Sequence, residues 1–214
     1  MSNQTTTDTT TDPSSSLADQ TIAGYLGALN SKSPTPGGGA VAGTCGATGA
    51  AVAGMVVHYT LGKKKYAEHE TANAKHLETL SAAQRAFLTL ADDDARGYGE
   101  LNSLWSLPES DPVRKERWSA AVAGAIAPPK QMLSLCVEVM SVIEGLVETT
   151  NTQLKSDLAV AAHTIRGAAH SAACNIRINV PLLEESQQQD VLEDSARKLS
   201  IIDTLCERIE GLTQ

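Results

Sequence analysis

Apolar residues along the chain recur at spacings of three and four, and no stretch alternates apolar and polar positions long enough to make a convincing strand. Ile22, Tyr25, Leu26 and Leu29 share one face and predict a short helix from about Thr21 to Asn30. Ser33-Pro34-Thr35-Pro36 then breaks the helix, because residues before proline avoid the α region and proline cannot donate a hydrogen bond. Gly37-Gly38-Gly39 opens a second helix reaching roughly Leu61. In it Gly39, Gly43, Ala47 and Ala51 repeat every four residues, as do Ala42, Gly46, Ala50 and Gly54, so two adjoining stripes carry almost no side chain. Each interior glycine costs about 0.5–1 kcal/mol against alanine. Close helix packing, or a ligand pressed against the backbone, must offset that cost.

Gly62-Lys63-Lys64-Lys65-Tyr66 reads as a compact basic loop or helix start. From about Tyr66 to Leu104 a long helix carries Leu77, Leu80, Ala83, Phe87, Ala91 and Tyr98 at helical spacing, with Pro108 closing the connection behind it. Asp111-Pro112 is a good helix start, a cap followed by proline in the first turn, and leads through Trp118, Val122 and Ile126. Pro128-Pro129 is expected to kink or interrupt this helix, which resumes with Met132, Leu133, Cys136, Val139, Met140, Ile143 and Val147. An alanine-rich helix fits from Ser156 to Asn179, before Pro181. A last one, Gln188 to Leu212, directs Leu192, Leu199, Ile202, Leu205, Ile209 and Leu212 to the core. The pattern predicts an all-α bundle of about six or seven mostly antiparallel helices.

Composition sharpens this picture. The 214 residues are 42% hydrophobic and 20% charged, enough for a single domain, taken here as 18–214. Aromatics supply only 3%, so Ala, Leu, Val and Ile must build the core, which suits closely packed helices better than a β-sandwich. Residues 1–17 are dominated by Ser, Thr and Asp, lack the basic and apolar regions of a signal peptide, and are expected to form a disordered tail. A net charge of −8 argues against nucleic acid as a partner. From Gly37 to Val57 no residue is charged, about the length that spans a bilayer. Gly and Ala fill 13 of the 18 positions from 37 to 54, however, so transfer into lipid gains little and a helix buried in protein is expected, with no membrane partner. Cys45, Cys136, Cys174 and Cys206 show neither a CxxC pair nor zinc spacing and read as reduced core residues of a cytoplasmic protein. His69 with His76, and His163 with His170, stand seven apart without a third ligand, so no metal site is expected.

Four features carry chemistry. Asp92, Asp93 and Asp94 point about 100° apart on a helix, so only one shares the apolar face. That one is Asp94, seven after Phe87 and three after Ala91. A carboxylate there loses water and its pKa rises, which suits general acid/base work; a buried aspartate satisfied by hydrogen bonds fits equally. Asp92 and Asp93 read as a solvated face. The turn Gly37-Gly38-Gly39 offers free backbone N–H groups and a helix dipole to an anion or polar ligand edge, or is a plain helix-breaking turn. It formally contains G-x-G-x-x-A, but no strand precedes it, so a dinucleotide reading fails on context. Lys63, Lys64 and Lys65 can steer an acidic substrate, or are solvated surface. Asn151, Ser156 and Asp157 are polar groups at a helix start, where Ser156 or Asp157 also makes an ordinary cap.

Taken together, Ser33-Pro34-Thr35-Pro36-Gly37-Gly38-Gly39, Leu61-Gly62-Lys63-Lys64-Lys65-Tyr66, Asp92-x-Asp94-Ala95 with Tyr98 and Leu107-Pro108, and Asn151 with Ser156-Asp157-Leu158-x-Val160-Ala161 resemble the cyclodeaminase/cyclohydrolase family. That family includes the C-terminal domain of formimidoyltransferase-cyclodeaminase and stand-alone methenyltetrahydrofolate cyclohydrolases. The resemblance implies a homodimer with a folate site built from the glycine turn, the lysine loop and carboxylates on neighbouring helices. Within it Asp94 is the acid/base residue, and Gly37, Gly38, Gly39, Lys63, Lys64, Lys65, Asn151, Ser156 and Asp157 bind substrate. Arg96 and Gly97 depart from the family pattern, which usually has an acidic residue and Ala there, and Pro128-Pro129 replaces a single proline followed by an aliphatic residue.

The implied reactions concern a one-carbon unit shared between N5 and N10 of tetrahydrofolate, on a substrate with one or more glutamates. The cyclohydrolase interconverts 5,10-methenyl- and 10-formyltetrahydrofolate, and is favoured here because no formimidoyltransferase domain accompanies the chain. The alternative, a cyclodeaminase, closes 5-formimino- to 5,10-methenyltetrahydrofolate with loss of ammonia. Neither needs a cofactor beyond the folate itself. A third reading from another class, a catalytically silent helical interaction protein, gives no reason to present the lysine loop and Asp94 in one cleft.

Overall fold

The computed structural model describes residues 16–214, which form six α-helices and no strand among the described residues. They are α1 (Ile22–Leu29), α2 (Gly38–His58), α3 (Glu70–Trp105), α4 (Pro112–Leu146), α5 (Lys155–Asn179) and α6 (Glu185–Thr213), joined by short 3-10 turns and loops. Helix α2 is the central element, packed between α3 and α5 with α4 beneath, and α6 closes the far side against α4 and α5. Sequential long helices run antiparallel.

The small-residue stripes of α2 are what admit its neighbours. A Cβ at Gly46 would lie 2.5 Å from Cδ1 of the buried Phe87, and one at Gly43 would lie 2.7 Å from the Phe87 carbonyl. The α2–α3 contact therefore closes only because those side chains are missing. Core side chains are aliphatic, as composition required: Leu80, Met132, Leu133, Met140, Ile143, Leu158, Ile165 and Ile176 are all fully buried. Helices α2 and α4 are each long and apolar enough by length and composition to cross a bilayer, so the uncharged stretch seen in the sequence has a second counterpart. Each is packed against other helices of the bundle over at least half of its apolar window.

Several expectations need correction. Helix α4 runs unbroken through Pro128 and Pro129, both buried. The two prolines cannot bond the carbonyls of Gly124 and Ala125. The Ala125 carbonyl instead accepts from Asn179 Nδ2 at 3.4 Å, and Gly97 of α3 lies directly over Gly124, with a Cβ there only 2.6 Å from its oxygen. Neighbouring helices thus cover what the prolines expose. This gives the departure at Gly97 a packing reason.

Tyr98 was expected on the core face of α3 but is 42% exposed, while Gly97, Leu101 and Leu104 are buried. Past Asp94 helix α3 has run beyond the start of α2 and shares a separate small core with α4, closed by Leu182 and Leu183, so its inward face rotates. Trp105 and Trp118 then meet edge to face at 6.0 Å near the tip of this hairpin. Leu192 and Leu212 of α6 are likewise exposed rather than directed into the core, Cys174 is exposed, and Ile22 and Leu26 on the shared face of α1 are exposed as well. The expected tail over 1–17 lies outside the described residues except for its last two. These are anchored: Leu17 is buried, and Ser16 Oγ and Leu17 N–H both donate to the Asp92 carboxylate, at 2.7 and 3.0 Å.

Candidate functional site

Three consecutive aspartates on α3 point three ways and meet three fates. Asp92 is not on a solvated face; it ties the Ser16–Leu17 segment to the bundle. Asp93 pairs with Arg96 one turn later, which accounts for the departure at Arg96. Asp94 has neither a hydrogen bond nor an ion pair among the described residues. It is half-buried, and loss of water pushes its carboxyl up to about 6. Among the described residues no cation offsets that burial.

The surface Asp94 faces is backbone. A Cβ at Gly39 would overlap the Asp94 carboxylate, so the third glycine of the turn is the reason the acid can lie there. Gly37 is the N-cap of α2 and supplies no side-chain cap, so the N–H groups of Gly38, Gly39 and Ala40 have no acceptor among the described residues. On the other flank, Asn175 of α5 reaches the same turn, its Oδ1 3.0 Å from where a Gly38 Cβ would be. Its Nδ2 is spent on the Ser171 carbonyl at 3.0 Å, leaving Oδ1 as an acceptor toward the glycine turn. The start of α2 is thus bracketed by a desolvated acid, a fixed amide oxygen and free amide donors. Such a group can move a proton while the amides hold an oxygen.

Lys63, Lys64, Lys65, Asn151, Ser156 and Asp157 gather at the opposite end of α2. Helix α2 has 21 residues, so about 30 Å of rise separates the two groups. Below the exposed lysines is a buried polar scaffold. Thr60 Oγ1 accepts from the Asn151 N–H at 2.9 Å, and Tyr66 Oη accepts from the Thr152 N–H at 3.2 Å. The Thr152 N–H, with Lys65 nearby, holds the Tyr66 phenol down to about 8. Lys65 Nζ lies 5.1 Å from the Tyr66 ring centroid. Asn151 Oδ1 accepts from Gln153 N–H at 3.2 Å and caps the short turn leading to α5. Ser156 and Asp157 sit in the first turn of α5, and neither caps it.

The structure therefore assembles Gly37, Gly38, Gly39 and Asp94 in one place and the remaining six candidates in another. It does not present the lysine loop and Asp94 in one cleft of a single chain. Asn175 escaped the sequence reading, although an asparagine inside an alanine-rich helix, four residues before Asn179, is a poor helix former and signals a task. A cavity of about 760 Å³ between α4 and the start of α6, lined by Trp118, Val122, Ile126, Lys130, Leu183 and Val191 among others, holds none of the candidates. Among the described residues no cluster of three His, Cys, Asp or Glu could hold a metal ion.

The formiminotransferase-cyclodeaminase family model matches residues 21–198. The chain is 32% identical over 171 residues to a methenyltetrahydrofolate cyclohydrolase from Methylorubrum extorquens, covering 78% of this chain and 82% of that one. It is 28% identical over 172 residues to the formimidoyltransferase-cyclodeaminase of Mus musculus, covering 78% of this chain and 32% of that longer protein. In three dimensions it is similar to the crystal structure of a formiminotetrahydrofolate cyclodeaminase from Thermotoga maritima. The TM-score is 0.84 at 22% identity, covering 92% of this chain and 96% of that one, a likeness of fold.

Proposed function

The chain belongs to the formiminotransferase-cyclodeaminase family, and from that premise we propose that it is a one-carbon folate enzyme, a methenyltetrahydrofolate cyclohydrolase. The observation that carries the reading is Asp94: an unpartnered, desolvated carboxyl with a pKa of about 6, resting on the open N-terminus of a helix. The relative bearing the cyclohydrolase name matches this chain over most of both lengths.

In the hydrolytic direction the Asp94 carboxylate takes a proton from water as the oxygen adds to the methenyl carbon. A tetrahedral carbon results, joined to N5, N10 and oxygen. The protonated acid then delivers its proton to N5 as the C–N5 bond breaks, leaving the formyl group on N10 and regenerating the carboxylate. The second proton leaves to solvent from the oxygen as the carbonyl forms. Free amides of Gly38, Gly39 and Ala40 can hold that oxygen while it carries charge. A pKa near the working pH lets one residue serve both as base and as acid. The lysines contribute attraction for the glutamate carboxylates, on one glutamate or several, and the working form is proposed to be a homodimer. No cofactor beyond the folate enters these steps.

Ring closure of 5-formiminotetrahydrofolate with release of ammonia is the second reading, favoured by the 28% identity to the mouse formimidoyltransferase-cyclodeaminase. It requires the same acid to accept the N10 proton and protonate the departing nitrogen. Incubating purified protein with 5,10-methenyltetrahydrofolate and following its absorbance, then with 5-formiminotetrahydrofolate and ammonia detection, separates the two. Turnover of neither refutes both.

A further inference from the structure

The pteridine ring of a folate has a polar edge that Asp94 alone does not read. Along it, in order, stand N3–H, the C4 carbonyl and N5, so a site that fixes the ring offers an acceptor, then a donor, then the group that acts at N5. The first turn of α2 carries such a series. Asn175 of α5 lies against Gly38, its Oδ1 3.0 Å from where a Cβ there would be, and Asp94 of α3 lies against Gly39 from the other flank. Between them are the N–H groups of Gly38 and Gly39, neither with an acceptor among the described residues. A backbone nitrogen sits about 2.5 Å from its own Cβ, so the Asn175 oxygen and the Gly38 nitrogen are within about 5.5 Å of each other without being bonded. An acceptor and a donor side by side match the adjacent N–H and C=O of a lactam.

The amide of Asn175 is held with one end outward. Its Nδ2 donates to the Ser171 carbonyl at 3.0 Å, and turning the amide over would set Oδ1 against that carbonyl, two acceptors face to face. The backbone is pinned as well. Asn179 Nδ2 donates to the Asn175 carbonyl at 3.1 Å and to the Ala125 carbonyl at 3.4 Å, the latter freed because Pro129 has no N–H. The double proline of α4 thus anchors the last turns of α5, which carry Asn175. Packing gives no reason for a half-buried asparagine so oriented, with its oxygen unused among the described residues.

We infer, on the folate reading above, that Asn175 recognises the pteridine. Its Oδ1 accepts from N3–H, the Gly38 N–H donates to the C4 oxygen, and N5 with its one-carbon unit is thereby set beside Asp94. The Gly39 and Ala40 amides remain for the oxygen that adds to the methenyl carbon. A ring with an amino group at C4 reverses the pattern: its N3 has no hydrogen and its C4 substituent donates. Acceptor then meets acceptor and donor meets donor, so the site selects 2-amino-4-oxopteridines and rejects 2,4-diaminopteridines.

Calorimetry tests this without turnover. Wild type should bind 5-formyltetrahydrofolate at least about 10²-fold more tightly than the same molecule with an amino group at C4. Asn175→Leu, similar in shape but without the acceptor, should weaken the 4-oxo ligand about tenfold and shrink the preference by at least that factor. In steady-state assays on 5,10-methenyltetrahydrofolate it should raise KM and lower kcat less. Equal affinity of wild type for the two ligands overturns the inference, and that comparison needs no variant should Asn175→Leu fail to fold. So does an Asn175→Leu chain, folded by circular dichroism, that keeps wild-type affinity and preference. A loss in kcat alone also overturns it, and assigns Asn175 to the attacking water instead. If wild type binds neither ligand and turns over neither folate, the folate reading fails and the inference with it; binding without preference sinks the inference alone.

Discussion

At the start of α2 a single carboxyl, Asp94, is half-buried, without a partner among the described residues, and pressed against glycine backbone. At its far end three lysines stand in solvent above Thr60, Asn151 and Tyr66, buried polar residues joined by hydrogen bonds across more than 80 residues of sequence. One end removes water from a charge and keeps everything else away from it, so its proton affinity approaches neutrality. The other leaves its charges exposed to water and fixes only the loop that carries them. Burial tunes a proton carrier, whereas exposure preserves reach and attraction. A single helix positions both because its N-terminus is all glycine and its C-terminus ends in a tight turn at Gly62, with φ at +75°.

Replacing the tuned group should have the largest effect. Asp94→Asn keeps the shape but cannot carry a proton, and should lower kcat by about 10²–10⁴ while folate binding, followed by fluorescence or calorimetry, persists. Asp93→Asn, whose side chain pairs with Arg96, serves as the control and should change little. Next is the packing that brings the acid to the backbone. Gly46→Leu drives side chain into Phe87 and should lower the unfolding free energy by at least about 1–3 kcal/mol in urea titration. Stability unchanged there would refute the close-packing account of α2.

The lysine end should answer differently. The triple Lys→Gln variant should raise KM more than it lowers kcat, and wild-type KM should worsen as salt is added. A KM insensitive to both would remove these residues from substrate binding. The smallest effect expected is on stability against pH. Asp94 has a folded pKa of about 6, above its usual 3.8, so its contribution is fully present below about pH 4 and is lost as pH rises through about 6. Asp94→Asn should therefore melt slightly higher than wild type above pH 6, the gap closing toward pH 4. The opposite trend would mean that Asp94 has found a cation.

Much of this was legible in the sequence, for reasons that can be traced to particular residues. Repeating small residues identified α2 as the close-packed centre, and helical phase separated Asp94 from Asp93. Phase failed for Tyr98, because α3 changes packing partner where α2 begins, which periodicity in one segment cannot record. The interruption allowed for at Pro128-Pro129 does not occur, and the sequence could not exclude it because the groups that cover the freed carbonyls, Asn179 and Gly97, lie far along the chain. Asp92 looked like solvated surface because its partners, Ser16 and Leu17, sit where the sequence promised disorder. The separation of the two clusters was hidden for a simpler reason: motifs give an order along the chain, and only the length of α2 converts that order into distance.

The central claim is that Asp94 carries the proton, and its pKa offers the most direct test. Initial rates of methenyltetrahydrofolate hydrolysis, corrected for the uncatalysed reaction, should be measured below KM between pH 5 and 8. If the carboxylate is the base, kcat/KM rises through an inflection near pH 6 and levels above it, and Asp94→Asn lacks both the inflection and most of the rate. A profile of the same shape and height in Asp94→Asn would contradict the account.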